Sequence, residues 1–109
     1  MELSHLAWID TWLDDNVSQS YKNEPLAQDW ARISKVSEEL GEAVNAFVGT
    51  TGQNPRKGLT HDMDDVLEEL ADTALTAIYA IQHFTKNEQD TYGIITGRHD
   101  THYSRVRGT

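Results

Sequence analysis

The stretch from residue 25 to residue 48, PLAQDWARISKVSEELGEAVNAFV, predicts a long amphipathic helix. Pro25 suits the first turn of a helix, because the N–H group that proline lacks would have no helical partner there. Apolar side chains then recur every three or four residues, which is the period of one helix face. These side chains are Leu26, Trp30, Ile33, Val36, Leu40, Val44 and Phe47. We expect Gly49 and Gly52 to end this helix.

Three more helical segments are predicted around this one. The first covers about residues 3–17, and another covers about residues 62–86. Between the two long helices, residues 49–60 have the glycines and the Asn-Pro pair of a loop. A last helix is predicted over about residues 91–106, although its glycines and threonines lower its helix propensity. No stretch alternates as a strand does, so we expect an all-α fold, an antiparallel bundle of about four helices.

The composition is that of one soluble globular domain spanning residues 1–109. Of the 109 residues, 38% are hydrophobic and 25% are charged, which is ordinary for such a domain. There is no long apolar run and no leader-like N-terminus, so we expect neither a membrane span nor secretion. The absence of cysteine excludes thiolate metal sites and fits a cytoplasmic location. A chain of this length buries a small core, and oligomerisation is a natural way to enlarge it.

The net charge is −9 and is distributed unevenly. A short basic C-terminal segment, residues 91–109, carries Arg98, Arg105 and Arg107 against Asp100 alone, so the rest of the chain is strongly acidic. An acidic body repels phosphates, which argues against duplex nucleic acid as a partner. The same charge suits a protein that gathers divalent cations, although solubility alone explains most acidic domains.

Two acidic clusters repeat one spacing on the two long helices. They are Glu38, Glu39 and Glu42 in SEELGEAV, and Glu68, Glu69 and Asp72 in LEELAD. Like charges so placed cost a few tenths of a kcal/mol per pair. On a helical wheel, Glu39 and Glu42 lie about 240° and 180° from the centre of their apolar stripe, and Glu69 and Asp72 hold the same two angles. Two antiparallel helices would therefore bring four carboxylates into one site, where Mg²⁺ or Mn²⁺ would replace repulsion by attraction.

A solvated acidic face is the simpler explanation for each cluster taken alone. Two features favour a site. The angles match on both helices. The acidic side of the helix predicted over about residues 62–86 continues with Thr76, Tyr79, Ala80 and His83 rather than with more charge. These helices are therefore expected to be covered on both sides, by the last helix or by a second subunit.

The motif Glu38-Glu39-x-x-Glu42, followed after 26 residues by Glu69-x-x-Asp72, resembles the signature of the MazG-like nucleoside triphosphate pyrophosphohydrolases. The resemblance covers about residues 29–84, and TGQNPRKG followed by DDVLEELAD is similar to a MazG-like subset. It implies a helical bundle that is complete only as a homodimer or homotetramer. It also implies Mg²⁺-dependent hydrolysis of a nucleoside triphosphate to the monophosphate and pyrophosphate, with Mn²⁺ as a possible substitute.

The resemblance also assigns roles to the acidic residues. By position, Glu39, Glu42, Glu69 and Asp72 match the metal ligands of the family, and Glu38 matches the remaining carboxylate, which ligates metal or orients water. Chemically, either Glu38 or Glu39 could take the proton of the attacking water.

Cationic side chains are needed beside a triphosphate. Lys35 lies one turn before Glu39 on the same side of the helix, and Arg56 and Lys57 lie in the loop. Phosphate contact is one interpretation of all three. The alternative for Lys35 is a helix pair with Glu39, and for the loop pair it is plain solvation. The basic C-terminal segment either closes over phosphates or frays.

The aromatic residues and histidines carry weaker expectations. A base pocket could use Trp8, Trp12, Trp30 or Tyr79. Core packing is nevertheless the favoured interpretation for tryptophans at helical spacing. The five histidines show no zinc-ligand spacing.

Two alternatives to a broad pyrophosphohydrolase stay open. One is a dUTP- or dCTP-restricted pyrophosphatase of the same superfamily. The other is a non-catalytic helical interaction module that binds a basic partner or buffers cations.

Overall fold

Four α-helices make up the computed structural model, which describes residues 1–16 and 23–108. They are α1 (Ser4–Asn16), α2 (Pro25–Thr51), α3 (Met63–Thr85) and α4 (Glu88–Arg107). The described residues contain no strand, which confirms the predicted all-α class and the number of helices. No helix in these ranges has the length and apolar character needed to cross a membrane.

Capping residues explain where three of the helices begin or end. Asp62 and Asp65 form a capping box at the start of α3, each side chain accepting the other residue's backbone N–H at 3.0 Å. Asn87 caps α4 by accepting the N–H of Asp90 at 2.9 Å. At the end of α2, Gly52 adopts the left-handed conformation and closes the last turn.

Gly49 does not end α2, contrary to the sequence prediction. The helix continues through Gly49 to Thr51. Glycine is needed at this position for close packing and not for a turn. A Cβ atom on Gly49 would lie 2.3 Å from His61 Nδ1 and 2.4 Å from Thr60 Oγ1. The returning chain therefore approaches α2 at a position that has no side chain.

The two long helices form an antiparallel hairpin. The contacts between them pair the start of α2 with the end of α3: Asp29 meets His83, Glu39 lies near Asp72, and the Gly49 carbonyl accepts the Thr60 N–H. This is the antiparallel arrangement in which the matched wheel angles were expected to bring the two acidic clusters together. The antiparallel prediction is therefore confirmed for the hairpin.

Small residues form the seam between α2 and α3, whereas the large apolar residues lie outside it. Ala43 and Ala46 of α2 are buried, as are Val66 and Ala80 of α3. The exposed apolar stripe, as we call it below, consists of Leu26, Trp30, Ile33, Leu40, Val44 and Phe47 of α2 with Met63, Leu67 and Leu70 of α3. Small side chains allow the two helix backbones to approach closely, which turns the larger stripe away from the seam.

The outer helices pack against the far end of the hairpin. Both α1 and α4 contact α3, and α4 also contacts α1. Leu6 of α1 is buried at this junction, and Thr91 of α4 is buried with its hydroxyl donating to Gln82 at 2.7 Å. The acidic clusters lie in the middle of the hairpin, away from the junction at which α1 and α4 pack.

Candidate active site

Carboxylates from both long helices converge in the middle of the hairpin. One oxygen each from Glu39, Glu69 and Asp72 lies within 4.8 Å of the others. Glu42 lies near enough to Glu69 for its carboxyl group to raise the pKa of Glu69. The structure thus brings three of the four predicted carboxylates together, with Glu42 beside Glu69, and the role of all four as metal ligands stays a prediction.

Two of these carboxyl groups have raised pKa values. Burial is the main cause of the raised pKa of Glu39, and repulsion from Glu42, Asp72 and Glu38 adds to it, while Lys35 opposes it. Burial is also the main cause of the raised pKa of Glu69, and the neighbouring Glu42 carboxyl group raises this pKa further. Both groups therefore hold their protons more tightly than an isolated glutamic acid does.

A buried, unpaired oxygen provides a test of whether a metal fits this site. Glu69 Oε2 is buried and has no hydrogen-bond partner, which normally costs stability. Mg²⁺ and Mn²⁺ prefer oxygen ligands, and the cluster offers oxygen ligands only. The donor chemistry and the unpaired oxygen both fit a hard divalent cation held by Glu39, Glu42, Glu69 and Asp72.

Glu38 and Lys35 lie at the outer edge of the carboxylate cluster. The side chain of Glu38 is 66% exposed, compared with 16% for Glu39. Lys35 Nζ lies 3.5 Å from Glu38 Oε2 and 3.9 Å from Glu39 Oε1. The ion pair of Lys35 with Glu39 within the helix, predicted as one interpretation of Lys35, is therefore present. This pair places a cation beside the cluster without burying the lysine.

The loop cations lie at the end of the hairpin rather than among the carboxylates. Arg56 and Lys57 are both exposed, in the connection that follows Gly52. Lys57 lines a cavity of about 260 Å³ that also includes Asn45 of α2. Asn45, Asn54 and Thr60, which also line this cavity, were not predicted as site residues from the sequence, because only folding of the loop onto α2 brings them together.

A second cluster has the spacing of a metal site but is already occupied by cations of the protein. Asp10, Asp14 and His83 offer ligand atoms within 4.8 Å of one another. Arg32 bonds to both aspartates, and Lys86 Nζ lies 2.7 Å from Asp10 Oδ2. These side chains neutralise the carboxylates, so we interpret the cluster as a buried ion-pair network that ties α1 to the hairpin.

This network was not predictable from the sequence. Asp10 and Asp14 are four residues apart on α1, which is a common spacing on solvated helices. Nothing in the chain indicates that they meet Arg32 from the start of α2 and His83 from the end of α3. His83 also contacts Asp29, with Nε2 2.7 Å from Asp29 Oδ1.

The expected core packing of the tryptophans is wrong for the single chain. Trp8, Trp12 and Trp30 are all exposed, and Trp30 reaches 73%. Trp8 and Trp12 line an open groove along α1. Tyr79 is partly buried on α3, seven residues after Asp72 and so on the same side of the helix.

The basic C-terminal segment is helical to Arg107 and does not fray before that point. Its arginines are exposed: Arg98 contacts His102, and Arg107 donates to the Tyr103 hydroxyl at 3.2 Å. These contacts are all within α4. Closure of this segment over phosphates therefore stays a prediction.

No protein-family profile, curated protein or solved structure matches this chain. The MazG-like resemblance therefore rests on the sequence motifs alone. The geometry of the carboxylates and their surroundings has to carry the functional argument.

Proposed function

We propose that the protein is a Mg²⁺-dependent nucleoside triphosphate pyrophosphohydrolase, which hydrolyses a (deoxy)nucleoside triphosphate to the monophosphate and pyrophosphate. The observation that carries this proposal is the convergence of Glu39, Glu69 and Asp72, with Glu42 beside Glu69 and with Glu69 Oε2 buried and unpaired. These carboxylates repel one another, and a bound cation would replace the repulsion by attraction. A triphosphate brings negative charge and therefore needs the same cation.

Mg²⁺ at this site, or Mn²⁺ in its place, would supply charge neutralisation for the phosphates and activation of the attacking water. The protein's own part is to hold the four carboxylates on two rigid helices. Glu39 is the more enclosed of the two candidate bases, since its side chain is 16% exposed compared with 66% for Glu38. Glu38 is more exposed and would orient Lys35 and water at the edge of the site.

Two cations, Lys35 and Arg56, support phosphate binding. Lys35 lies beside Glu38 and Glu39, close enough for its ammonium group to reach a phosphate at the edge of the site. Arg56 is exposed at the loop end of the hairpin, whereas its neighbour Lys57, the third predicted phosphate contact, lines a cavity instead. In a protein of net charge −9, positive side chains of this kind offset the repulsion of a phosphate.

A homo-oligomer follows from the exposed apolar stripe. Few hydrophobic residues of the described chain are buried, whereas the nine large apolar side chains of the stripe are 46% to 84% exposed. A contiguous exposed apolar face of this kind marks an interaction surface. We infer that a second copy covers it, in a dimer or a tetramer, because a symmetric pair buries the same stripe on both subunits.

Release of pyrophosphate from a panel of ribo- and deoxyribonucleoside triphosphates, with Mg²⁺, Mn²⁺ or EDTA, tests the proposal. We expect metal-dependent release of pyrophosphate, not of orthophosphate. Activity confined to dUTP or dCTP would favour the restricted pyrophosphatase. No release from any nucleotide with either metal would overturn the enzyme assignment and leave the non-catalytic interaction module.

A further inference from the structure

A cavity of about 260 Å³ lies at the loop end of the hairpin, outside the carboxylate cluster. Its lining includes Asn45 and Val48 of α2 and four residues that follow α2, namely Asn54, Lys57, Thr60 and His61. Pockets for drug-sized ligands measure about 300–1,000 Å³. This cavity would therefore hold one ring system rather than a whole nucleotide.

The cavity adjoins the carboxylate cluster on the same side of α2. Asn45 comes three residues after Glu42, which is about 4.5 Å along the helix axis and one helical turn away. Gly49, which also lines the cavity, comes seven residues after Glu42 and returns to the same face. A ligand whose phosphates lie at the carboxylates would thus extend its other end toward the cavity.

The shape of the cavity depends on the close approach of the loop to α2. The Thr60 N–H donates to the Gly49 carbonyl at 2.9 Å, and any side chain at Gly49 would collide with His61. Asn54 fixes the other wall, since its carbonyl accepts the N–H groups of Lys57 and Gly58. The wall is therefore a built feature of the fold and not a gap between mobile groups.

Both helix ends beside the cavity make it a poor phosphate site. The carboxyl end of α2 carries the negative end of the helix dipole, which repels anions. The amino end of α3 would attract an anion, but the carboxylates of the Asp62–Asp65 capping box already lie there and repel one. Among the described residues that line the cavity, only Lys57 has a permanently cationic side chain.

The polar lining instead matches the edge of a nucleobase. Asn45 and Asn54 each carry an amide with both donors and an acceptor, and amides of this kind pair with base edges. Asn54 Oδ1 already accepts the Arg56 N–H at 3.2 Å, so its NH₂ group is left to donate. Val48 and the His61 ring add apolar and planar surface for a flat ligand.

We propose that this cavity binds the nucleobase of the substrate and selects bases that carry a ring carbonyl, with Lys57 as the donor to that oxygen. The selected bases are uracil, thymine, cytosine and guanine, and adenine is disfavoured because it has no carbonyl for Lys57. This inference rests on the proposed function, since it names the part of the nucleotide that extends away from the carboxylates.

Binding of nucleosides tests the cavity without any catalysis. We would record the side-chain amide NMR signals of Asn45 and Asn54 while adding deoxyguanosine, deoxyuridine or deoxyadenosine in EDTA. Shifts are expected with the first two and weaker shifts with deoxyadenosine, both in the parent and in Asp72→Asn. If inorganic pyrophosphate shifted these signals and the nucleosides did not, the cavity would be a phosphate site and the proposal would fail.

Kinetics of two neighbouring variants separate base contact from phosphate contact. Lys57→Gln and Arg56→Gln each remove one exposed positive charge, but only Lys57 lines the cavity. We expect Lys57→Gln to lower kcat/KM about tenfold for dGTP and dUTP relative to dATP, the typical loss of one charge-assisted hydrogen bond. Arg56→Gln should change kcat/KM to the same extent for all three nucleotides.

Failure of base selection and failure of the proposed function would give different results. Equal losses on dATP, dGTP and dUTP in Lys57→Gln would assign Lys57 to the phosphates and overturn base selection. Absence of turnover in the parent would overturn the proposed function, and the nucleoside titration would then decide the cavity by itself.

Discussion

Glu39 of α2 and Asp72 of α3 face each other across the hairpin, and one carboxyl oxygen of each lies within 4.8 Å of the other. The two groups repel each other, and this repulsion contributes to the raised pKa of Glu39. A proton relieves such repulsion at low pH. A divalent cation would do the same at neutral pH, where protons are scarce.

The first prediction concerns stability and pH in EDTA. Burial raises the folded-state pKa of Glu39 and Glu69 above the ordinary 4.5, so the folded chain holds protons that the unfolded chain has released. Their contribution to the free energy of unfolding is therefore full below pH 4.5 and is lost as pH rises through the raised values. Glu69→Gln should flatten this part of the curve of melting temperature against pH. An unchanged curve in Glu69→Gln would contradict the assignment.

The second prediction concerns stabilisation by metal. A ligand that binds only the folded chain raises the melting temperature by mass action, so millimolar Mg²⁺ or Mn²⁺ should do so and EDTA should reverse it. The increase should grow as pH rises through the same range, because the carboxyl groups must lose their protons to bind metal. Differential scanning calorimetry at several pH values measures both effects. A melting temperature indifferent to Mg²⁺, Mn²⁺ and EDTA would count against the site.

The third prediction concerns assembly. Val44→Asp places a charge in the exposed apolar stripe, and we expect it to shift the protein toward a 12.3 kDa monomer in light scattering. Val106→Asp is the matched control, since Val106 is 88% exposed but lies at the end of α4, outside the stripe. A monomeric parent at micromolar concentration would refute the oligomer directly.

The fourth prediction concerns the buried ion-pair network. Removing one partner of a buried ion pair leaves the other charge uncompensated and typically costs about 3–5 kcal/mol. Arg32→Ala should therefore lower the free energy of unfolding in urea by about that amount, because Arg32 is buried against Asp10. Arg98→Ala, at an exposed position of α4, should change it by less than about 0.5 kcal/mol. Equal effects of the two variants would show that the network contributes nothing.

The sequence was sufficient for the helices and for the convergence of the carboxylates, and the reason is periodicity. The spacing of Glu39 with Glu42, and of Glu69 with Asp72, fixes each pair on one side of its helix whatever surrounds it. Once the hairpin is antiparallel, the two pairs must meet. The local signal of Pro25 also located the start of α2.

What the sequence did not show depends on contacts between distant segments. The large apolar residues suggested the packed face, but the seam formed on Ala43 and Ala46, because close backbone approach matters there more than side-chain size. Gly49 looked like a helix end and is a contact point for His61. The network around Arg32 joins three helices, and no periodicity within one helix encodes such a meeting.

The last prediction concerns catalysis by the four carboxylates. Replacing Glu39, Glu42 or Glu69 by Gln, or Asp72 by Asn, keeps size and helical fit while removing one charge. Turnover should fall by orders of magnitude, because metal binding and neutralisation of the phosphates are lost together. The fold should survive, since like-charge repulsion is also relieved. Circular dichroism and pyrophosphate release measure the two properties separately.

The four residues are expected to act as a unit, so the double variant Glu42→Gln with Asp72→Asn should be little worse than either single variant. Glu68→Gln is the matched control: it removes the same charge from an exposed neighbour outside the group of converging oxygens. Parent-like hydrolysis by both Glu39→Gln and Asp72→Asn would exclude the site. Equal losses in Glu68→Gln and Glu69→Gln would instead indicate that overall negative charge, and not the geometry around Glu69, is what the reaction requires.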